Sequence, residues 1–184
     1  MLGYGSSYAE SFGEGLDAAI SGNYSQALSI WRPLAQQGNM DAQMGLGNLY
    51  FNGDGVSKNH KEAAKWWRKS AEQGHSGAQY NLATLYDRGE GVLQDYKEAV
   101  KWYRLSAANG FTGAQFNLGG MYDKGLGVPS NKVLAHMWWN IAASDGDEDA
   151  AKNRASIERS MSSEEITKAQ KLAKECVKNN YKDC

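Results

Sequence analysis

Residues 42–77 read AQMGLGNLYFNGDGVSKNHKEAAKWWRKSAEQGHSG, and the two stretches that follow repeat the pattern without a gap at a period of 36. The three segments are Ala42–Gly77, Ala78–Gly113 and Ala114–Asp149. Identical columns include Ala42/Ala78/Ala114, Gln43/Gln79/Gln115, Leu46/Leu82/Leu118 and Tyr50/Tyr86/Tyr122. Others are Gly53/Gly89/Gly125, Gly55/Gly91/Gly127, Val56/Val92/Val128, Ala63/Ala99/Ala135, Trp66/Trp102/Trp138, Ala71/Ala107/Ala143 and Gly74/Gly110/Gly146. Self-similarity at a fixed period of this length is the mark of a repeat array.

Each segment reads as helix, glycine-rich turn, helix. Ala42, Leu46, Leu49 and Tyr50 recur at helical spacing and make one apolar stripe. Gly53-Asp54-Gly55-Val56 interrupts it, and glycine suits the left-handed backbone of a helix end. Asn59-x-x-Glu62 and Asp95-x-x-Glu98 have the form of capping boxes opening the second helices. Ala63, Trp66, Trp67, Ser70 and Ala71 form that helix's apolar face, and Gly74 ends it. Ser76-x-x-Gln79 and Thr112-x-x-Gln115 are expected to cap the next first helices in the same way. Small alanines allow close helix approach, and tryptophan fills the space between neighbouring units.

The flanks are atypical, as terminal repeats should be. Residues 8–41 form a degenerate hairpin whose first helix is expected at roughly Tyr8–Ser21, with a tight Gly22-Asn23 turn. Tyr24, Ala27, Trp31, Ala35 and Gly38 match second-helix columns. Residues 1–7 are read as a tail or a remnant of expression. Residues 150–184 carry two capping helices, one over Ala150–Met161 and one over Ser163–Lys178. Ser162 to Glu165 reads as a capping box, flanked by Met161 and Ile166 as a hydrophobic staple. The repeats themselves occupy 42–77, 78–113 and 114–149.

Composition narrows the function classes. A net charge of −1 over 184 residues argues against a dedicated nucleic-acid binder. No apolar run approaches the roughly 20 residues of a membrane span. Met1–Ser7 has neither a basic nor an apolar region of a secretory signal, so either the signal has been removed or the protein stays in the cytoplasm. The only two cysteines are Cys176 and Cys184. Asn179 and Asn180 can take the left-handed conformation and fold the tail back, bringing the sulfurs together; two unrelated thiols are the alternative. A bridge fits an oxidising compartment, which favours a periplasmic or secreted protein over a cytoplasmic one.

The pattern Ala-Gln-x-x-Leu-Gly-x-x-Tyr-x-x-Gly-x-Gly-Val, then Ala-x-x-Trp and Ala-x-x-Gly, resembles the Sel1-like repeat, a cousin of the tetratricopeptide repeat. Gly47 and Gly119 fit its small position after leucine, whereas Ala83 departs from it. The resemblance implies an all-α, right-handed α/α solenoid, with first helices on the concave face and second helices on the convex face. It implies adaptors that bind other proteins, with no catalytic residue in the motif.

Within such a scaffold, columns that change identity on an exposed face are where a partner can be read. Met44/Tyr80/Phe116 stays large and apolar while changing, and Asn48/Thr84/Gly120 and Phe51/Asp87/Asp123 lie further along the first helices. Met44, Asn48, Phe51, Tyr80, Thr84, Asp87, Phe116 and Asp123 are therefore the candidate partner-binding residues, set against packing between adjacent units as the alternative.

Other chemistries fit poorly. The Gly-x-Gly turns join helices and lack the preceding strand of a dinucleotide fingerprint. The cations Lys61, Lys65, Arg68, Lys69, Lys97, Lys101 and Arg104 are interrupted by Glu62 and Glu98 and give way to Val133, Met137 and Asn140 in the third repeat, which suits a solvated face. The apolar change there is expected to bring Met137 and Ile141 against the C-terminal cap. His60, His75 and His136 occupy different columns, so no metal or other cofactor is expected. No Ser-x-x-Lys, Lys-Thr-Gly or nucleophile elbow is present. A cysteine-rich branch of the resembled family is linked to β-lactams through a cysteine pair in each repeat, which these repeats lack. The expected function is a non-catalytic, monomeric adaptor for a protein or peptide in the bacterial envelope. An immunity protein that neutralises a secreted toxin is the alternative, and a β-lactam or cell-wall hydrolase the lesser one.

Overall fold

Two compact units divide the chain, Met1–Leu93 and Gln94–Cys184. The structure is a computed structural model and describes residues 4–182 and 184. The first unit holds α1 (Tyr4–Ile20), α2 (Tyr24–Gln36), α3 (Met40–Asn52), α4 (His60–Glu72) and α5 (Ser76–Arg88). The second holds α6 (Tyr96–Ala108), α7 (Thr112–Lys124), α8 (Lys132–Ser144), α9 (Glu148–Glu158) and α10 (Ser163–Lys178). The fold is all-α, with helices packed as sequential repeat pairs.

The repeated residues explain the packing. Ala42, Leu46, Leu49, Ala63, Trp67 and Ala71 are buried in the first unit, and Ala114, Leu118, Ala135, Trp139 and Ala142 in the second. The indoles pack directly against glycines of the facing first helix. A methyl on Gly47 would overlap Trp67, and one on Gly119 would overlap Trp139. Trp31 is held on both sides: Gly15 faces it within its own hairpin, and a Cβ on Gly45 of the next repeat would sit 2.7 Å from its ring. The indole N–H groups find acceptors at the Phe12 carbonyl (3.2 Å), the Asn48 side chain (3.2 Å) and the Phe116 carbonyl (3.1 Å).

The turns close in two steps. Gly53, Gly89 and Gly125 end α3, α5 and α7 in the left-handed conformation. The second glycine then lies on the backbone that opens the preceding second helix. A Cβ on Gly91 would stand 2.5 Å from the His60 carbonyl carbon, and Gly55 abuts Tyr24 in the same manner.

Several local expectations are corrected. α1 begins at Tyr4, inside the stretch read as a tail, because neither proline nor a capping signal stops the helix there; residues 1–3 lie outside the described residues. Ser76 and Thr112 are first-turn residues, not caps. The N-caps are His75, whose Nδ1 accepts from the Ala78 N–H at 3.2 Å, and Phe111, which makes no side-chain cap. Gln79 instead donates to the Ala71 carbonyl at 3.1 Å, as Gln43 does to Ala35 at 3.0 Å, so in these two repeats the glutamine reaches back to the end of the previous second helix, whereas the Gln115 amide is buried without a hydrogen-bond partner among the described residues. Asn59 and Asp95 do cap α4 and α6, but Glu62 and Glu98 turn to Lys65 and Lys101 rather than back to the cap. At Ser162 and Glu165 both halves of the capping box form.

Met137 and Ile141 are buried, and α8 packs against both α9 and α10. Cys176 and Cys184 form a disulfide. On a chain-entropy basis a loop this short contributes about 2.5 kcal/mol. The left-handed residues that turn the tail are Asn180 (φ 52°) and Tyr181 (φ 60°), whereas Asn179 keeps a negative φ.

Gly91→Ala is expected to cost about 3 kcal/mol in urea denaturation, since it adds a backbone clash to a left-handed strain. Gly74→Ala, equally left-handed but with open space around it, is expected to cost only about 1 kcal/mol. The Ser162 backbone N–H, followed by its hydroxyl, holds the Glu165 carboxyl below its ordinary value of 4.5. A depressed folded value means stabilisation that is present above 4.5 and lost as pH falls through the lowered one. Glu165→Gln should therefore show a shallower loss of stability over that acid range than the wild type.

Candidate functional site

Six of the candidate residues sit on α3 and α5 of the first unit. Met44 is half-buried and Asn48 exposed. Both are tied to α5 by one side chain, Asn81, whose amide nitrogen lies 3.8 Å from the Met44 sulfur and 3.5 Å from Asn48 Oδ1. Asn48 also accepts the Trp67 N–H, so it is anchored to α4 as well. Tyr80 and Thr84 are half-buried one turn apart, the threonine hydroxyl donating to the Tyr80 carbonyl at 3.0 Å. Asp87 follows, also half-buried. The result is a first-helix surface in which an apolar Met and Tyr flank a cross-helix amide network.

Phe51 has a different place. Its ring stacks on His60 at 4.7 Å, tilts against Trp67 at 5.2 Å and lies beneath the Lys58 ammonium. That sandwich uses the phenyl ring inside its own repeat. In the second unit Phe116 is half-buried and Asp123 exposed, with open space over Gly120 between them in sequence. The structure thus gathers Met44, Asn48, Tyr80, Thr84 and Asp87 on two neighbouring helices, and carries Phe116 and Asp123 on α7 of the other unit.

Asn81 is the residue that sequence reasoning missed. The signal was available, since its column holds Gly45, Asn81 and Asn117, and a polar amide recurs where the helix would otherwise favour an apolar or charged residue. The second helices also hold more than a solvated cationic face. One groove of about 410 Å³ is lined by Leu28, Arg32, Gly55 and Val56 among others. Its equivalent one repeat later, about 560 Å³, is lined by Ala64, Arg68, Gly91 and Val92 among others. Arg68 donates to the Tyr86 hydroxyl and lies over its ring, and Arg104 treats Tyr122 identically.

The histidines each do structural work. His75 caps α5 and has Asp41 at 3.6 Å, while His60 faces Glu90 at 3.6 Å. His136 is fully buried, with Nε2 at 2.7 Å from Glu158 Oε1; Arg154 Nε stands 3.8 Å from the same oxygen. This contact clamps the end of α9 onto α8. Among the described residues, no group of three or more His, Cys, Asp or Glu is placed to hold a metal ion, and no helix is long and apolar enough to cross a membrane.

The Sel1 repeat family model matches residues 1–39, 41–75, 76–111 and 112–147. Its frame begins one or two residues earlier than the 36-residue segments and takes in the N-terminal hairpin. Among solved structures, the chain is similar to a Sel1 repeat protein from Oxalobacter formigenes, at 36% identity and a TM-score of 0.73, over 76% of this chain and 58% of that one. It is also similar to a protective antigen present in uropathogenic Escherichia coli strains that displays an SLR fold, at 27% identity and a TM-score of 0.67, over 95% of this chain and 47% of that one. A Helicobacter pylori protein, cysteine rich protein B, shares the fold at 20% identity and a TM-score of 0.55, over 70% of this chain and 92% of that one. The chain spans about half to three-fifths of the first two structures. A search of curated proteins returned no match.

Removing the acceptor from the buried histidine is expected to be expensive. Glu158→Ala should lower stability to urea by about 1–3 kcal/mol, the usual cost of orphaning a buried donor. Glu158→Gln, which keeps an oxygen in place, should retain most of that stability. Equal losses in the two variants would mean that charge, not the hydrogen bond, holds the clamp.

Proposed function

Because the chain belongs to the Sel1 repeat family, we propose that it is a non-catalytic scaffold that holds a protein or peptide partner on its first helices. One observation carries this reading: most of the repeat's invariant residues go into packing, turns and caps, while the first-helix columns Met44/Tyr80/Phe116, Asn48/Thr84/Gly120 and Phe51/Asp87/Asp123 change identity and stay at least partly accessible. Ala42, Leu46 and Ala63 are buried, whereas Met44, Asn48, Tyr80 and Thr84 are not. A preformed surface of this kind binds with little loss of conformational freedom, because the helices beneath it are already packed.

Met44, Tyr80 and Phe116 would supply apolar anchors, and Asn48, Thr84, Asp87 and Asp123 the polar contacts that choose among partners. Phe51 contributes less, since its ring is stacked within the repeat. The disulfide suits an oxidising compartment, and the bacterial envelope is the setting we propose.

The test is affinity capture from the native cell's extract with wild-type chain and a Met44→Ser, Tyr80→Ser, Phe116→Ser variant shown to fold by its denaturation transition. A protein retained by the wild type and at least tenfold depleted on the variant is the expected result. Equal retention by both would remove the first-helix surface from the function. If the captured protein is an enzyme silenced on binding, the scaffold acts as its inhibitor.

A further inference from the structure

The largest of the second-helix grooves described here, about 630 Å³, lies in the second unit and differs from the other two. Its walls come from α6, α8 and the C-terminal tail, where Lys101, Arg104, Leu105, Trp138, Tyr181 and Cys184 face it. Three of these are apolar or aromatic, and Leu105 is 42% exposed. The two cations are unequally engaged. Lys101 meets Glu98 at 3.3 Å, whereas Arg104 touches only the neutral Tyr122 and pairs with no carboxylate among the described residues.

The tail is held in place at a cost. Two successive non-glycine residues, Asn180 and Tyr181, take the left-handed conformation, which L-residues rarely adopt. The disulfide and the Tyr181 N–H to Cys176 carbonyl bond (2.8 Å) fix them there, with the Tyr181 ring packed against Gly110. Strained backbone that persists only because its surroundings impose it tends to collect at ligand sites. A concave, mostly apolar space of this size with a few convergent polar groups is the usual form of a small-molecule site.

We infer that this groove binds a small amphipathic anion, an aliphatic or aryl chain ending in a carboxylate or similar acid group, with the disulfide-tied tail as one of its walls. The apolar body would lie on Leu105, Trp138 and Tyr181, and the acid group would meet Arg104 and Lys101. The site is separate from the first-helix surface and needs no protein partner.

Decanoate is the probe, titrated calorimetrically into the full chain, with decyltrimethylammonium as a cation of matching length. Saturable one-to-one binding of decanoate, and none of the cation, is expected. Leu105→Glu, which sets a carboxylate on the groove wall, and Leu105→Trp, which fills the space without charge, should each weaken binding about tenfold or more. Cys184→Ser should weaken it as well, while Lys65→Glu in the first unit should change nothing. The Leu105 and Lys65 variants would be checked for an unchanged denaturation transition and Cys184→Ser for a transition that stays cooperative at lower stability, and the leucine is exposed enough to tolerate either replacement. Failure of decanoate to saturate, equal affinity for the two probes, or wild-type binding by both Leu105 variants would each overturn the proposal. Wild-type binding by Cys184→Ser would remove the tail from it.

Discussion

A tryptophan ring packed directly on a glycine is the contact around which the hairpins of the first and third repeats are built. At Gly47 and Gly119 there is no room for even a methyl group, because the indoles of Trp67 and Trp139 occupy that space. The exchange is favourable: an aromatic side chain leaves water almost completely, and the first helix approaches the second without a side chain between them. Trp31 extends the principle from one hairpin to the next, since the pyrrole end of its ring meets Gly15 and the benzo end meets Gly45. The column also shows how the pair is conserved as a pair. The repeat that carries Ala83 in the glycine position carries Tyr103 where the others have tryptophan. The remaining elements, the turns and caps, set the angle at which these surfaces meet.

Much of this was legible because it recurs. The period of 36, the two helices per repeat and the glycine turns follow from residues that are identical in every unit, and the helices lie where those residues put them. Local capping was less legible. Ser76-x-x-Gln79 has the letters of a capping box, yet Gln79 bonds to Ala71 of the previous helix. Whether a glutamine turns back on its own backbone or outward to a neighbour depends on tertiary packing, which spacing along one helix does not encode. His75 as a cap was hidden for the same reason, since histidine is an unusual choice there and its Nδ1 acts only because the loop presents it.

The surface was the least legible part. Residues were assigned to an exposed stripe by column, but a column does not say which neighbour a side chain meets. Phe51 shares a column with Asp87 and Asp123 and yet stacks on His60, because only in that repeat do two aromatic rings meet across the turn. Asn81, not among the residues singled out by column, links α3 to α5 through Met44 and Asn48. On the opposite side, side chains that read as a charged coat enclose grooves whose walls come from different repeats or from the tail. Cavities of that kind are products of assembly and have no signature within any single helix.

The glutamine bonds give the stack a direction. Gln43 donates to Ala35 and Gln79 to Ala71, so the closing turns of α2 and α4 are each finished by the repeat that comes after them. Cutting such a stack at its two ends has unlike results. Loss of a preceding repeat leaves a glutamine that can swing into water, whereas loss of a following one strips a carbonyl of its donor along with the cover that kept it dry. Within the first unit, erosion is thus cheaper from the amino end than from the carboxyl end. In the second unit, α8 is covered by α9 and α10.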